Sequence, residues 1–145
     1  MSADPFDLQR FIDAQANTYE QARAELAAGR KRGHWIWFIF PQIHGLGYSA
    51  MSQRFAISGL DEAKAYLAHP LLGARLRDCT ALVNAVEGRS LNAILGDPDD
   101  MKFHSSMTLF AEAGGGAVFH DALNRYFAGK PDQATLDRIK ADAAR

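Results

Sequence analysis

The sequence predicts an all-α fold, a compact multihelical single domain over residues 1–145. Three observations predict it. Apolar residues recur at steps of three and four through most of the chain; capping side chains, prolines and glycines mark where those runs begin and end; and no segment alternates with period two between hairpin turns. A chain of 145 residues buries about 70% of its unfolded surface on folding, enough for one core.

The elements follow in order. Asp4-Pro5 is a capped start with proline where its missing N–H costs nothing, and Leu8, Phe11, Ile12, Gln15, Tyr19, Ala22 and Leu26 extend one helix from there to Gly29. Arg30-Lys31-Arg32 then falls at or beyond the helix end, where cations complement the negative end of the dipole. Residues 35–40, Trp-Ile-Trp-Phe-Ile-Phe, are a continuous apolar run. Period alone does not assign such a run, so it is open to an extended conformation, and a small sheet there is the alternative to a purely helical fold.

Gly45-Leu46-Gly47-Tyr48-Ser49 reads as a loop into a short capped helix over 50–55, and Ser58-Gly59-Leu60-Asp61 as the next break. A helix over 62–68 is followed by His69-Pro70, after which Leu72, Leu76, Cys79, Val83 and Val86 keep helical spacing up to Gly88. Ser90 caps a turn holding Leu91, Ile94 and Leu95 that Gly96 closes. Asp97-Pro98-Asp99-Asp100 opens another helix with acidic residues at its positive end and Phe103, Met107 and Phe110 as its buried stripe. Gly114-Gly115-Gly116 separates it from a helix carrying Phe119, Leu123 and Phe127; Gly129 ends that one, and Asp132 starts a last helix with Leu136 and Ile139.

Composition excludes several function classes. With 48% hydrophobic and 23% charged residues the chain is neither disordered nor fibrous. Sixteen Lys plus Arg against 17 Asp plus Glu, a net charge of −1, argues against a nucleic acid polymer as partner, since such binders carry a basic excess. The apolar run 35–40 falls far short of the roughly 20 residues a membrane span needs, so no membrane partner is expected. The polar, acidic start Met1-Ser2-Ala3-Asp4-Pro5 carries no visible secretory signal, and the single cysteine, Cys79, allows neither an internal disulfide nor a cysteine-based zinc site. A cytoplasmic location fits, and Cys79 on an apolar stripe reads as an inert core residue.

Two segments carry the candidate chemistry. In the first, Gly33–Tyr48, Trp35 and Trp37 offer faces on which a base or similar ring stacks, weighed against plain core packing. In an extended segment the two would point to opposite sides, one to the core and one to a pocket. Gln42, after Pro41, offers an amide donor and acceptor suited to orienting a ligand, or to bonding its own turn. His34 could pair with an anion beside Arg30, Lys31 and Arg32. His34 and His44 lack the spacing and the third ligand of a metal site, so no metal is expected. Gly45 and Gly47 let the backbone approach a ligand, or simply turn. Ser49 and Ser52 lack a nucleophile-elbow context.

In the second segment Asp100 is the carboxylate that could stabilise a sugar cation or activate water. Lys102, Ser105 and Ser106 share a helical face able to hold phosphate, with Thr108 close by. The plainer alternative makes Asp99 and Asp100 favourable first-turn charges.

The sequence GHWIWFIFPQIHGLGY over 33–48 resembles a bacterial family described as domain of unknown function 1810. The resemblance continues through Tyr66-Leu67-Ala68-His69-Pro70-Leu71-Leu72-Gly73, Asp100-Met101-Lys102-Phe103-His104-Ser105-Ser106-Met107-Thr108-Leu109-Phe110, Tyr126-Phe127, Asp132 and Thr135-Leu136. It covers nearly the whole chain, and WxWFIFPQ and K-x-x-SSMTLF are its specific motifs. The family carries no established activity. A more distant similarity, to the NADAR superfamily, implies N-glycosidase chemistry on phosphoribosyl or ADP-ribosyl compounds, with none of that superfamily's catalytic residues carried over. The expectation is therefore hydrolysis of an N-glycosidic bond in a nucleotide-like small molecule, with no cofactor, Asp100 and Lys102 catalytic, and Trp35, Trp37, Gln42, His34, Ser105, Ser106 and Thr108 binding. The rival is a non-catalytic module that holds a nucleotide-like ligand or a protein partner through the same aromatic surface.

Overall fold

A computed structural model describes residues 4–144; Met1–Ala3, which carry part of the amino-terminal reading above, lie outside the described residues. Ten helices are found among them: α1 (Gln9–Gln15), α2 (Tyr19–Ala27), α3 (Ile36–Ile39), α4 (Ala50–Arg54), α5 (Leu60–Ala68), α6 (Leu72–Ala85), α7 (Leu91–Leu95), α8 (Asp99–Glu112), α9 (Ala117–Phe127) and α10 (Gln133–Ala143). The fold is all-α. Its one piece of β pairing among the described residues is an isolated parallel bridge between Ile43 and Ile57.

Helix α8 is the axis of the molecule, packing against α3, α5, α7, α9 and α10. Its six consecutive residues 105–110 are all buried, as expected of a helix enclosed on every side. Around it lies one hydrophobic core in which aromatic rings meet edge to face: Phe40 on Phe103 at 4.9 Å and Phe11 on Tyr66 at 5.1 Å between centroids. Cys79 is fully buried in this core, and burial pushes its thiol up to about 12, so it stays protonated and unreactive. Gly73 lets α5 and α6 approach closely, since a Cβ there would sit 2.1 Å from the Leu67 carbonyl oxygen.

Two expectations are corrected. The single helix from Pro5 to Gly29 is two helices, broken at Ala16-Asn17-Thr18. Asn17 and Thr18 are weak helix formers. The break also follows Gln15, which is fully committed to the interior: its Nε2 donates to the Phe38 carbonyl at 2.8 Å and to the Tyr66 hydroxyl oxygen at 3.2 Å. The helical start also lies later than Asp4-Pro5: α1 begins at Gln9 with Leu8 at its N-cap and no side-chain cap, while Asp4 accepts from the Leu8 and Gln9 N–H groups at 2.8 and 3.0 Å across the preceding turn, and those bonds lower its pKa. The second correction concerns residues 35–40, which are not extended: Ile36–Ile39 form one helical turn flanked by Trp35 and Phe40. An extended run would have needed strand partners for its N–H and C=O groups. Here the turn satisfies them internally, with Ile39 N bonded to Trp35 O at 3.1 Å and Phe40 N to Ile36 O at 3.0 Å.

No helix among the described residues is long and apolar enough to cross a membrane.

Candidate functional site

The aromatic turn divides its side chains between interior and surface. Residues two apart on a helix are rotated by about 200°, so they diverge as they would on a strand. Trp35 is fully buried. Its Nε1 donates to Glu25 Oε1 at 2.9 Å, and the same oxygen accepts the backbone N–H groups of Arg32 and Gly33 at 2.8 and 2.9 Å. Burial works against the Glu25 charge, but these donors outweigh it and bring its pKa down to about 2. Trp37 is only half-buried, lies on the outer side and has the ammonium of Lys102 5.1 Å from its ring centroid. The Trp37 indole N–H is buried without a hydrogen-bond partner.

Trp37 forms one wall of a cleft of about 240 Å³. The other lining residues come from the loop after the turn and from α4: Gln42, Ile43, His44, Gly45, Gly47, Ser52, Gln53, Phe55 and Ala56. The loop is held by the Ile43–Ile57 bridge, in which Ile57 N donates to Gln42 O at 2.8 Å and His44 N to Ile57 O at 2.9 Å. Ser49 caps α4, its Oγ accepting from Ser52 N at 3.1 Å. Phe55 is anchored in the core against Phe38, 5.3 Å away between centroids. The cleft thus has an aromatic floor packed into the core and a polar rim built on a short loop.

His44 is the titratable group of this cleft. Its Nε2 lies 2.8 Å from Asp142 Oδ2 on α10, while the other carboxylate oxygen, Oδ1, is buried without a partner. The carboxylate orients the ring and favours the tautomer with its proton on Nε2, which leaves Nδ1 as the basic nitrogen. Sequence spacing gave no hint of this pair, because 98 residues separate its members.

The second candidate segment takes a different part. Ser105 Oγ donates to Asp132 Oδ2 at 3.1 Å, and Thr108 Oγ1 accepts from Asp132 N at 2.9 Å while donating to His104 O at 2.9 Å. Asp132 Oδ2 also caps α10, accepting from Thr135 N at 3.1 Å and Thr135 Oγ1 at 2.6 Å. These hydroxyls therefore fasten α10 to α8. Ser106 is fully buried with its hydroxyl unpartnered. Of the face expected to hold phosphate, Ser105 is engaged by Asp132 and Ser106 is closed off from solvent, while Lys102 lies beside Asp99 and the Trp37 ring.

Asp100 sits in the first turn of α8, accepting from Met101 N at 2.8 Å and from Asn92 Nδ2 at 3.3 Å. Lys102 lies 3.9 Å from Asp99, which is itself paired at 2.6 Å with the largely buried ammonium of Lys31. None of the residues lining the cleft comes from α8. His34 is exposed on the loop before the aromatic turn. The structure thus brings together Trp37, Gln42 and His44; Trp35, Asp100, Ser105, Ser106 and Thr108 stand elsewhere, and Lys102 touches the group only through the Trp37 ring. No cluster of three or more His, Cys, Asp or Glu suited to a metal ion occurs among the described residues.

Comparison with known proteins sets this geometry in context. The family model described as protein of unknown function (DUF1810) matches residues 5–139. Among solved structures, the chain resembles a conserved hypothetical protein from Mycobacterium tuberculosis whose crystal structure was determined at 1.38 Å. The two are 54% identical with a TM-score of 0.93, over 94% of this chain and 99% of that one. No curated protein matches the chain.

Proposed function

The chain belongs to the DUF1810 family of proteins of unknown function, and on that premise we propose that it binds a small nucleotide-like molecule in the cleft between Trp37 and the loop 42–47. One observation carries the reading: a half-buried indole, an amide and a carboxylate-oriented imidazole line one cleft of about 240 Å³. That volume lies just below the roughly 300–1,000 Å³ of drug-sized pockets, which suits a single ring system with its substituents and not a polymer. Trp37 supplies a stacking surface worth about 1–3 kcal/mol. Gln42 supplies an amide donor and acceptor for a base edge, and Gln53, whose Nε2 donates to Tyr48 O at 2.8 Å, supplies its carbonyl oxygen.

Thermal denaturation in the presence of adenosine monophosphate, ADP-ribose and NAD tests this. A ligand at about 100 times its Kd adds about 2.7 kcal/mol to native stability, and hence raises Tm by about 5–10 °C for a chain of this size. Trp37→Ala is expected to abolish the rise. A set of ligands that leaves Tm unchanged refutes the reading.

A hydrolytic reading rests on the same cleft and on the His44–Asp142 pair. In it water forms a C–O bond at the anomeric carbon as the C–N glycosidic bond breaks, the water's proton passes to His44 Nδ1, and the base departs with the bonding pair and takes up a proton from solvent. Because Asp100 and Lys102 do not line the cleft, the acid–base work falls to His44. Release of free base that His44→Asn eliminates distinguishes this reading from binding alone, in which no product forms.

A further inference from the structure

Arg138 on α10 is half-buried, and its guanidinium is pressed against Gly45, one of the cleft-lining residues. A methyl at Gly45 would sit 2.5 Å from Nη2 and 2.7 Å from Cζ of Arg138, so the glycine is what lets the guanidinium lie against the loop that lines the cleft, although Arg138 is not itself one of the lining residues. The backbone there, with φ of +88°, also favours glycine. Among the described residues Arg138 forms no ion pair within 4.0 Å. Asp142, one turn along the same helix, is the nearest carboxylate on that face by sequence, and it is already engaged by His44 at 2.8 Å. Asp137 is turned to Gln133, whose Nε2 it accepts at 2.9 Å.

A partly desolvated guanidinium without an acidic partner is costly unless an anion completes it, and its planar fork matches an oxyanion by two parallel N–H···O bonds. We propose that Arg138, admitted by Gly45, is an anion subsite that takes the phosphate of a nucleotide-like ligand. The inference deepens the cleft-binding reading: the ring lies against Trp37 and the phosphate lies toward Arg138. It also moves phosphate recognition away from α8, where the hydroxyls are already used. Arg138 lies midway along α10, in a segment with no local motif that would mark it.

The test separates phosphate from ring. Calorimetric titration of the full chain with adenosine and with adenosine monophosphate is combined with titration of inorganic pyrophosphate, observed through the Arg138 Nε–H resonance. The wild-type protein is expected to prefer the monophosphate over adenosine by at least about ten-fold, a margin typical of a charge-assisted, bidentate contact. Arg138→Gln should reduce the margin to about two-fold while leaving adenosine affinity unchanged. Arg138→Lys, which keeps the charge without the fork, should fall between, and pyrophosphate should move the Arg138 signal. A margin that survives in Arg138→Gln, or an Arg138 resonance that pyrophosphate does not move, overturns the subsite. If neither adenosine nor its monophosphate binds while pyrophosphate still moves Arg138, the ring reading falls and the anion subsite stands.

Discussion

Glu25 shows how one side chain organises a functional segment. It collects two backbone N–H groups and the Trp35 indole on a single oxygen, and so fixes the loop that delivers the aromatic turn. Its folded pKa of about 2 lies below the ordinary carboxylate value. Its contribution is therefore complete above about pH 4.5, and it is lost as pH falls from there toward 2. Partial solvent exposure reduces that contribution to about 1–2 kcal/mol. Glu25→Gln keeps the acceptor oxygen and removes the charge. Chemical denaturation should find this variant less stable than wild type at pH 7, with the gap closing as pH drops through 4 to 2. A gap independent of pH would mean that the charge plays no part. Trp35 and Trp37, two residues apart with the same chemistry, differ entirely in surroundings: one is sealed beneath Lys31 and bonded to Glu25, the other is a cleft wall. Residue type told nothing of that difference, which arises from the direction each side chain takes on the turn.

At the scale of elements, the polar side of α8 is a fastening for α10. Four groups, Ser105, Thr108, Asp132 and Thr135, form one hydrogen-bonded cluster, with Thr135 fully buried. Asp132→Ala removes the cap of α10 and the acceptor of two hydroxyls. We expect a loss of about 2–3 kcal/mol, read as a fall in Tm of about 5–10 °C. Asp132→Asn, which retains one acceptor oxygen, should lose less than half of that. A loss below about 0.5 kcal/mol in Asp132→Ala would show the cluster to be incidental. Because α10 also carries Arg138 and Asp142, the fastening positions the two side chains that meet the cleft loop at Gly45 and His44. Most of these elements were legible from caps and apolar spacing: Ser49, Ser90 and Asp132 each cap the helix that follows, as their side chains suggest. The break between α1 and α2 was not legible, because apolar residues keep helical spacing across Ala16-Asn17-Thr18. The break falls at the weak helix formers Asn17 and Thr18, directly after Gln15, whose side chain is bonded to Phe38 and Tyr66. The serines and threonine of α8 were recognisable as unusual for a helix interior, but sequence did not reveal that their partner lay on α10.

At the scale of the molecule, a near-neutral chain with a net charge of −1 folds into an all-α body with a small cleft at one side of its core. The cleft is assembled from the aromatic turn, the loop leading into α4, and α4 with the residues just after it, while Asp142 of α10 holds His44 from behind. Trp37 and Gln42 were legible as candidates because the motif around them is unusual. His44 lacks metal-ligand spacing in the sequence, and its Asp142 partner lies 98 residues away, beyond the reach of any local pattern. Local patterns in a sequence report helices and caps well, whereas a site built from distant segments is fixed by packing. The central claim, that this cleft is where the protein meets its ligand, is tested most directly by backbone amide chemical-shift mapping on titration with adenosine monophosphate. The shifts should concentrate at Trp37, the loop 42–47, residues 52–56 and Arg138. Shifts confined to the Asp99–Thr108 stretch of α8, or none anywhere, would contradict it.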